Sequence, residues 1–249
     1  MVIDSHAHIV MPPESFRFMA ELVGGRANPN TLPKIPDASV RKVAEELVKS
    51  MDNVGTDVQF ISPRPYLQMH SVKPARVGEL WTKHMNDLVY RTVQMFPDRF
   101  RAVCSLPQYR DTSPENCLAE LEFRVKEQGF IGCLLNPDPT EGDCAPPPGM
   151  GDRFWDPLYA KLCELDVPAL VHTAGSCEPR LSYTLKFINE ESIGIISLMN
   201  SKVFELFPTA PLVDDASGVG HLAACFEVER RRVEGGVAGI ALHEHEALG

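Results

Sequence analysis

Segments of regular apolar spacing follow one another along the chain and predict alternating strands and helices. Apolar residues between Val40 and Val54 recur at helical spacing, and Gly55 follows where a C-terminal cap is expected. The run from Val167 to Val171 is almost wholly apolar, as in strands buried on both faces. The predicted strands are 2–4, 57–61, 100–106, 130–135, 167–171 and 211–213, and the predicted helices are about 39–54, 75–96, 114–128 and 154–165.

The alternation of strands and helices predicts an α/β fold with a parallel sheet covered by helices. Near-regular repetition favours a TIM-type (β/α) barrel over an open sheet, and 249 residues accommodate one such domain. Only residues 214–249 follow the predicted sixth strand, whereas a complete βαβ unit takes about 30 residues or more. We therefore expect a single domain, 1–249, whose barrel is incomplete at its C-terminal end.

Composition and charge narrow the class of molecule. A hydrophobic fraction of 44% and a charged fraction of 23% predict a folded core. We expect a cytoplasmic location, since neither an apolar membrane span nor a signal peptide is evident. The formal net charge of −10 argues against nucleic acid and anionic membranes as partners. Seven cysteines without a Cys-x-x-Cys pair predict reduced thiols.

Three histidines stand at the carboxyl ends of predicted strands. His6 and His8 follow the first strand at i and i+2, so both imidazoles point to the same side, and His172 ends the fifth strand. Taken singly, each could be an ordinary core histidine. Because barrel enzymes build their active sites at this end of the strands, we predict that the three side chains bind one divalent metal ion. His70 and His84 have no companion motif and are expected to be ordinary residues.

Cationic and polar side chains follow the same strands, where they could bind an anionic small-molecule substrate. The predicted substrate-binding residues are Arg64, Lys73, Arg76, Asn136 and Arg180, and the predicted catalytic residue is Tyr183. Arg64 and Asn136 lead this group, because planar Arg suits carboxylates, although ion pairs or turn hydrogen bonds would also explain them. Tyr183 could donate a proton or pack at the rim. Asp138 and Glu141 could serve in acid–base chemistry or in turns.

Seven separated blocks of the sequence carry a specific resemblance. They are Asp4-Ser-His-Ala-His8, Ile61-Ser-Pro-Arg-Pro65, Lys73-Pro-Ala-Arg-Val77, Leu135-Asn-Pro-Asp-Pro139, Gly151-Asp-Arg-Phe-Trp155, Tyr159-Ala-Lys-Leu-Cys-Glu-Leu-Asp166 and Phe187-Ile-Asn-Glu-Glu191. In this order they resemble the 4-oxalomesaconate hydratase family, in the decarboxylase-like branch of the amidohydrolase superfamily. The similarity is continuous over about residues 1–208.

The resemblance implies a zinc-containing barrel and a lyase activity. Such an enzyme adds water across the double bond of a tricarboxylic keto acid in protocatechuate or gallate breakdown. The resemblance also implies that His6, His8 and His172 are the metal ligands. A zinc-dependent decarboxylase of the same superfamily is the alternative, because the metal motif is common to both. The sequence leaves open whether the chain forms a homo-oligomer.

The tail, residues 209–249, departs from the family. Where the family has a His-Gly-Gly motif this chain has Asp214, and His221 stands at the wrong spacing to replace the family histidine. The family's later acidic residue lies beyond the chain, and we attribute His243-Glu-His245 to chance. A truncated, catalytically inactive remnant is therefore a third interpretation.

Overall fold

The fold is taken from a computed structural model, which describes residues 1–28, 30–178, 180, 182–209 and 212–214. Among these residues, six parallel strands form a sheet in which each strand pairs with its sequence neighbours. They are β1 (Ile3–His8), β2 (Val58–Ser62), β3 (Phe100–Cys104), β4 (Gly132–Leu135), β5 (Ala169–Val171) and β6 (Leu212–Asp214). Parallel strands in sequential order, joined by helical crossovers, form the described part of a (β/α) barrel.

The helices of the described residues occupy the crossovers between these strands. They are α1 (Pro13–Val23), α2 (Asp37–Val54), α3 (Ala75–Met95), α4 (Leu118–Gln128), α5 (Asp156–Leu165), α6 (Tyr183–Met199) and α7 (Val203–Leu206). Local chemistry sets several ends. Gly55 and Gly129 adopt the left-handed conformation after α2 and α4, and the Ser182 hydroxyl accepts a hydrogen bond from the backbone N–H of Leu185 in α6.

Most predicted elements are confirmed, and the differences concern the length of β1 and three helices that the sequence pattern did not predict. Strand β1 extends to His8, because pairing resumes after an irregularity, with Ala7 opposite Ile61 and His8 opposite Ser62. The unpredicted helices are α1, α6 and the short α7. Helix α1 buries Phe18 and Leu22, and α6 carries exposed apolar side chains that blur its helical pattern.

The apolar core lies between the sheet and the helices. Trp81, Trp155 and Tyr159 are among its largest fully buried side chains. The indole N–H of Trp155 donates to the carbonyl of Pro148 at 2.9 Å, and the Tyr159 hydroxyl donates to the carbonyl of Met150 at 2.7 Å. Aromatic residues at the start of α5 and within it thereby anchor the Pro- and Gly-rich loop that follows β4.

The cysteines of the described residues carry free thiols, as predicted. Burial raises the pKa of Cys104, Cys117 and Cys133, which keeps these thiols protonated. No helix in the described ranges combines the length and the apolar character needed to cross a membrane.

His84 lies in the contact between α1 and α3. Its ring centroid is 5.2 Å from that of Phe18 and 5.5 Å from that of Trp81, and its Nε2 is 2.9 Å from the hydroxyl of Ser15. Burial, with a smaller effect of the Arg91 charge, lowers the pKa of His84 to about 4. The imidazole is therefore neutral in the folded protein near neutral pH.

We expect His84 to make the protein less stable as the pH falls from about 6.5 to 4. In this window the unfolded chain takes up a proton that the folded chain resists, so protonation favours unfolding, whereas above it this residue adds no pH dependence. The His84→Gln variant should lose about 3 kcal/mol less stability than the wild type between pH 7 and 4. Chemical denaturation at both pH values measures this, and equal losses would contradict it.

Candidate metal centre and active-site mouth

Three histidines from two strands converge on one point. His6 and His8 lie on β1, and His172 directly follows β5. One ring nitrogen of each lies within 4.8 Å of a ring nitrogen of the other two, and the ring centroids are 4.7, 5.1 and 5.3 Å apart. The structure thus brings together the three side chains that the sequence analysis grouped. We call them the histidine cluster.

The histidine cluster requires a strongly curled sheet. Three strands lie between β1 and β5, so in a flat sheet four spacings of about 4.8 Å would separate them by about 19 Å. The ring centroids of His6 and His172 instead lie 5.1 Å apart. The strands therefore wrap around a common axis, across which β1 and β5 face each other.

Hydrogen bonds determine which nitrogen carries the proton in two of the rings. His8 Nδ1 is 2.8 Å from the Ser62 hydroxyl, which is 3.2 Å from the carbonyl oxygen of Ala7. Since a carbonyl only accepts, the hydroxyl donates to it and accepts from His8. His172 Nδ1 is 2.8 Å from the carbonyl oxygen of Thr173 and donates to it. In the neutral rings Nε2 is therefore the nitrogen that can bind a metal ion.

The separation of the His6 and His8 ring nitrogens fits a shared divalent ion. His6 Nε2 and His8 Nε2 are 3.1 Å apart. Two nitrogens that each lie about 2.1 Å from one ion are about 3.0 to 3.4 Å apart at bond angles of about 90° to 110°. The observed separation falls within this range, and three imidazoles form a donor set suited to zinc and related transition metals.

Two acidic residues hold the backbone beside the histidine cluster. Asp4 accepts a hydrogen bond from the backbone N–H of His6 at 3.1 Å. Glu191, on α6, accepts one from the backbone N–H of Thr173 at 3.2 Å and lies 3.7 Å from His172 Nδ1. Both stand in the sequence blocks above, but the sequence alone assigned them no role. Recognising Glu191 from the sequence would have required predicting α6, the helix that carries it.

Arg64 lies at the carboxyl end of β2. It follows Ser62, the partner of His8, by two residues, and its Nε is 3.4 Å from the carbonyl oxygen of Ile9. The side chain is half-buried. Its position next to the elements that carry the histidine cluster suits the predicted substrate contact, which stays a prediction.

Asn136 follows β4 and is buried in a hydrogen-bond network. Its side-chain nitrogen is 3.0 Å from His70 Nδ1, and its side-chain oxygen accepts from the backbone N–H of Asp138 at 3.1 Å. Contact between Asn136 and a substrate stays a prediction. His70, expected to be an ordinary residue, is a member of this network.

The other predicted substrate-binding residues lie on exposed loops and helix starts. Lys73 and Arg76 are exposed near the start of α3, where Arg76 pairs with Glu79 at 3.1 Å. Arg180 is exposed between β5 and α6. Tyr183 is the first residue of α6, and its side chain lies outside the described set. Their roles stay predictions.

Asp138 and Glu141 tie the loops of the mouth together. Glu141 accepts hydrogen bonds from the hydroxyl of Ser71, after β2, and at 2.9 Å from the backbone N–H of Gly175, after β5. Asp138 Oδ2 is 3.0 Å from Lys186 Nζ on α6. These carboxylates thus connect three crossovers, a role that the sequence analysis did not predict, and their part in acid–base chemistry stays a prediction.

Lys186 forms a buried ionic link between a loop and a helix. Its Nζ contacts Asp138 and also Glu190, at 2.8 Å. Burial alone lowers the pKa of Lys186, but the hydrogen bonds and charges of Glu190 and Asp138 outweigh that effect and raise it. The ammonium group therefore stays charged and fixes α6, which carries Glu191, against the loop after β4.

The tail residues singled out in the sequence analysis fall beyond the described part of the chain. His221, His243 and His245 lie outside the described residues, and the side chain of Asp214, at the end of β6, is also outside them.

Sequence and structure comparisons relate the chain to known proteins. The sequence pattern of the amidohydrolase family matches residues 3–224. The 2-keto-4-carboxy-3-hexenedioate hydratase of Sphingobium sp. strain SYK-6 is 36% identical over 216 residues, which are 84% of this chain. This chain spans only 63% of the length of that relative.

Two solved structures extend the comparison. The 4-oxalomesaconate hydratase of Rhodopseudomonas palustris superposes with a TM-score of 0.75 at 29% identity, over 94% of this chain and 67% of that chain. A dihydroxybenzoic acid decarboxylase of Polaromonas sp. JS666, solved with manganese and 2-nitroresorcinol, has a TM-score of 0.66 at 22% identity, over 94% and 70% of the two chains. The fold is therefore common to hydratases and decarboxylases.

We expect the Lys186→Met substitution to destabilise the protein by about 2 to 4 kcal/mol, because it leaves buried Asp138 without its counter-charge. A matched control is Lys126→Met, which removes an exposed pair with Glu122 on α4 and should change stability little. Urea denaturation of both variants measures the difference. Equal, small effects would show that the buried link contributes nothing to stability.

Proposed function

The chain belongs to the amidohydrolase family, and from this premise we propose that it is a divalent-metal-dependent hydratase. The substrate would be 4-oxalomesaconate, a tricarboxylic keto acid, and the product 4-carboxy-4-hydroxy-2-oxoadipate, in protocatechuate or gallate catabolism. The observation that carries the proposal is the convergence of His6, His8 and His172. The 36% identity to a hydratase of a keto acid supports the choice of reaction.

The histidine cluster would hold the metal ion. Zinc is the first candidate, because imidazole sets commonly bind it, and manganese, which the Polaromonas decarboxylase contains, is the second. When bound, such an ion polarises a substrate oxygen and acidifies a water molecule. The Ser62 hydroxyl and the Thr173 carbonyl would keep His8 and His172 in the tautomer that binds it.

The substrate carboxylates would be bound by residues at the same mouth. Arg64 offers a planar pair of donors at the end of β2, and Asn136 offers an amide at the end of β4. Lys73, Arg76 and Arg180 would add positive charge at the rim. Such a local cluster is needed because the chain as a whole carries a net charge of −10. Tyr183 would supply a proton or a hydrogen bond to the substrate.

Decarboxylation at the same metal centre is the second candidate, favoured by the fold common to this chain and a decarboxylase. It would release carbon dioxide from an aromatic or β,γ-unsaturated acid. The higher identity to a hydratase places it second. A chain without activity is the third candidate.

We expect protein loaded with zinc or manganese to abolish the ultraviolet absorbance of 4-oxalomesaconate without releasing carbon dioxide. Hydration removes a double bond from the conjugated system, which causes the loss of absorbance. A spectrophotometer and a carbon dioxide trap follow the two outcomes. Constant absorbance with metal-loaded protein would contradict the hydratase proposal, and release of carbon dioxide would favour the decarboxylase.

Removal of one ligand should weaken metal binding strongly. We expect His172→Ala to lower the affinity by more than about 100-fold, and Ser62→Ala, which removes only the partner of His8, by about 10- to 100-fold. The control is His84→Gln. Because His84 lies between α1 and α3, this variant should bind metal with the same affinity as the wild type. Competition with a fluorescent chelator gives these affinities. Unchanged binding in His172→Ala would remove that residue from the site.

A further inference from the structure

Groups from three crossovers hold Asn136 at the mouth of the barrel. The side chain of His70 comes from the segment after β2, the side chain of Gln108 from the segment after β3, and the backbone N–H of Asp138 from the loop after β4. All four residues are buried, with exposed fractions of 2% to 4%. Such a set restricts both the backbone and the amide group of Asn136.

Hydrogen-bond chemistry fixes the tautomer of His70. Its Nε2 lies 3.1 Å from the carbonyl oxygen of Leu106, which can only accept, so Nε2 carries a proton. Burial lowers the pKa of His70, against the opposing charges of Glu141 and Asp138, so the ring is neutral. In a neutral ring protonated at Nε2, Nδ1 is an acceptor.

The tautomer of His70 in turn fixes the amide of Asn136. The side-chain nitrogen faces the acceptor Nδ1 at 3.0 Å, while the side-chain oxygen faces the backbone N–H of Asp138 at 3.1 Å. If the amide were rotated by 180°, its oxygen would face the acceptor Nδ1 of His70, and its N–H₂ group would face the N–H donor of Asp138. Two independent partners therefore select the same orientation.

Gln108 fixes the backbone of the same residue. Its side-chain nitrogen donates to the carbonyl of Asn136 at 2.7 Å, and its side-chain oxygen accepts from the Asn136 N–H at 2.8 Å. This pair of bonds replaces the ladder contacts that end with β4, so Asn136 is held where the strand stops.

We propose that His70 and Gln108 are positioning residues, which fix Asn136 so that its second side-chain N–H is presented as a donor to a carboxylate of the substrate. The proposal rests on the proposed function, in which Asn136 binds substrate. A carboxylate requires a donor, and the flipped amide would present an oxygen and repel it. An amide held in advance loses little conformational freedom on binding, which favours affinity.

The test compares two substitutions of nearly equal shape at position 70. His70→Asn keeps an acceptor close to the place of Nδ1, whereas His70→Leu removes it. We expect His70→Leu to raise KM about tenfold, with a smaller change in kcat, and His70→Asn to restore most of the loss, since tenfold matches the loss of one hydrogen bond. Metal content should stay unchanged in both variants.

Repeating the two substitutions in the Asn136→Ala variant shows whether His70 acts through Asn136. In Asn136→Ala, exchanging Leu for Asn at position 70 should no longer alter KM. A general structural role of His70 would leave the difference between the two substitutions intact in that background. Persistence of the difference, or equal KM values for the two variants with Asn136 present, would overturn the proposal.

Binding of tricarballylate, a tricarboxylate without a double bond, separates this inference from the hydratase proposal. Its Kd, measured by titration calorimetry, should follow the same pattern as KM in the same variants. If wild-type protein hydrates nothing but the Kd pattern holds, the positioning role stands and the hydratase proposal falls. Absence of both turnover and binding would overturn the role of Asn136 and this inference with it.

Discussion

Residues on β1 and β5 must meet across a curled sheet, and the candidate site depends on that meeting. The hydrogen bond between His8 and Ser62 joins β1 to β2 at the level of the cluster, where these two residues are register partners. A slip of one residue in β1 would turn the side chains of His6 and His8 to the opposite face. Strand register and metal-site geometry are thus one constraint, set by pairing along the whole sheet.

In the loops that follow the carboxyl ends of the strands, polar contacts rather than apolar packing hold the segments in place. Glu141 joins the segments after β2 and β5, Lys186 joins α6 to Asp138, and Gln108 grips the backbone at the end of β4. Buried polar groups of this kind are costly unless they are paired, so each strongly favours one arrangement of the loops. The mouth of the barrel is therefore built from interlocked loops.

The common fold explains why relatives with different reactions superpose on this chain. Strands and helices supply the curl that brings the histidines together, and this scaffold is compatible with hydration and with decarboxylation alike. In the proposed site, the loop residues Arg64 and Asn136 meet the substrate, so the choice of substrate depends on the loops as well as on the scaffold. An anionic substrate also needs these local donors, because the overall charge of −10 repels it.

The sequence by itself determined the order of the six strands, four of the seven described helices, the barrel class and the grouping of His6, His8 and His172. These follow from local periodicity and from the rule that parallel strands end at one face. Tertiary structure decided the rest. It gave Glu191 and Ser62 their contacts with the histidines and enclosed His70 with Asn136. Their partners lie far away in the chain, and strand pairing, loop packing and the curl of the sheet together bring such distant segments within hydrogen-bond reach.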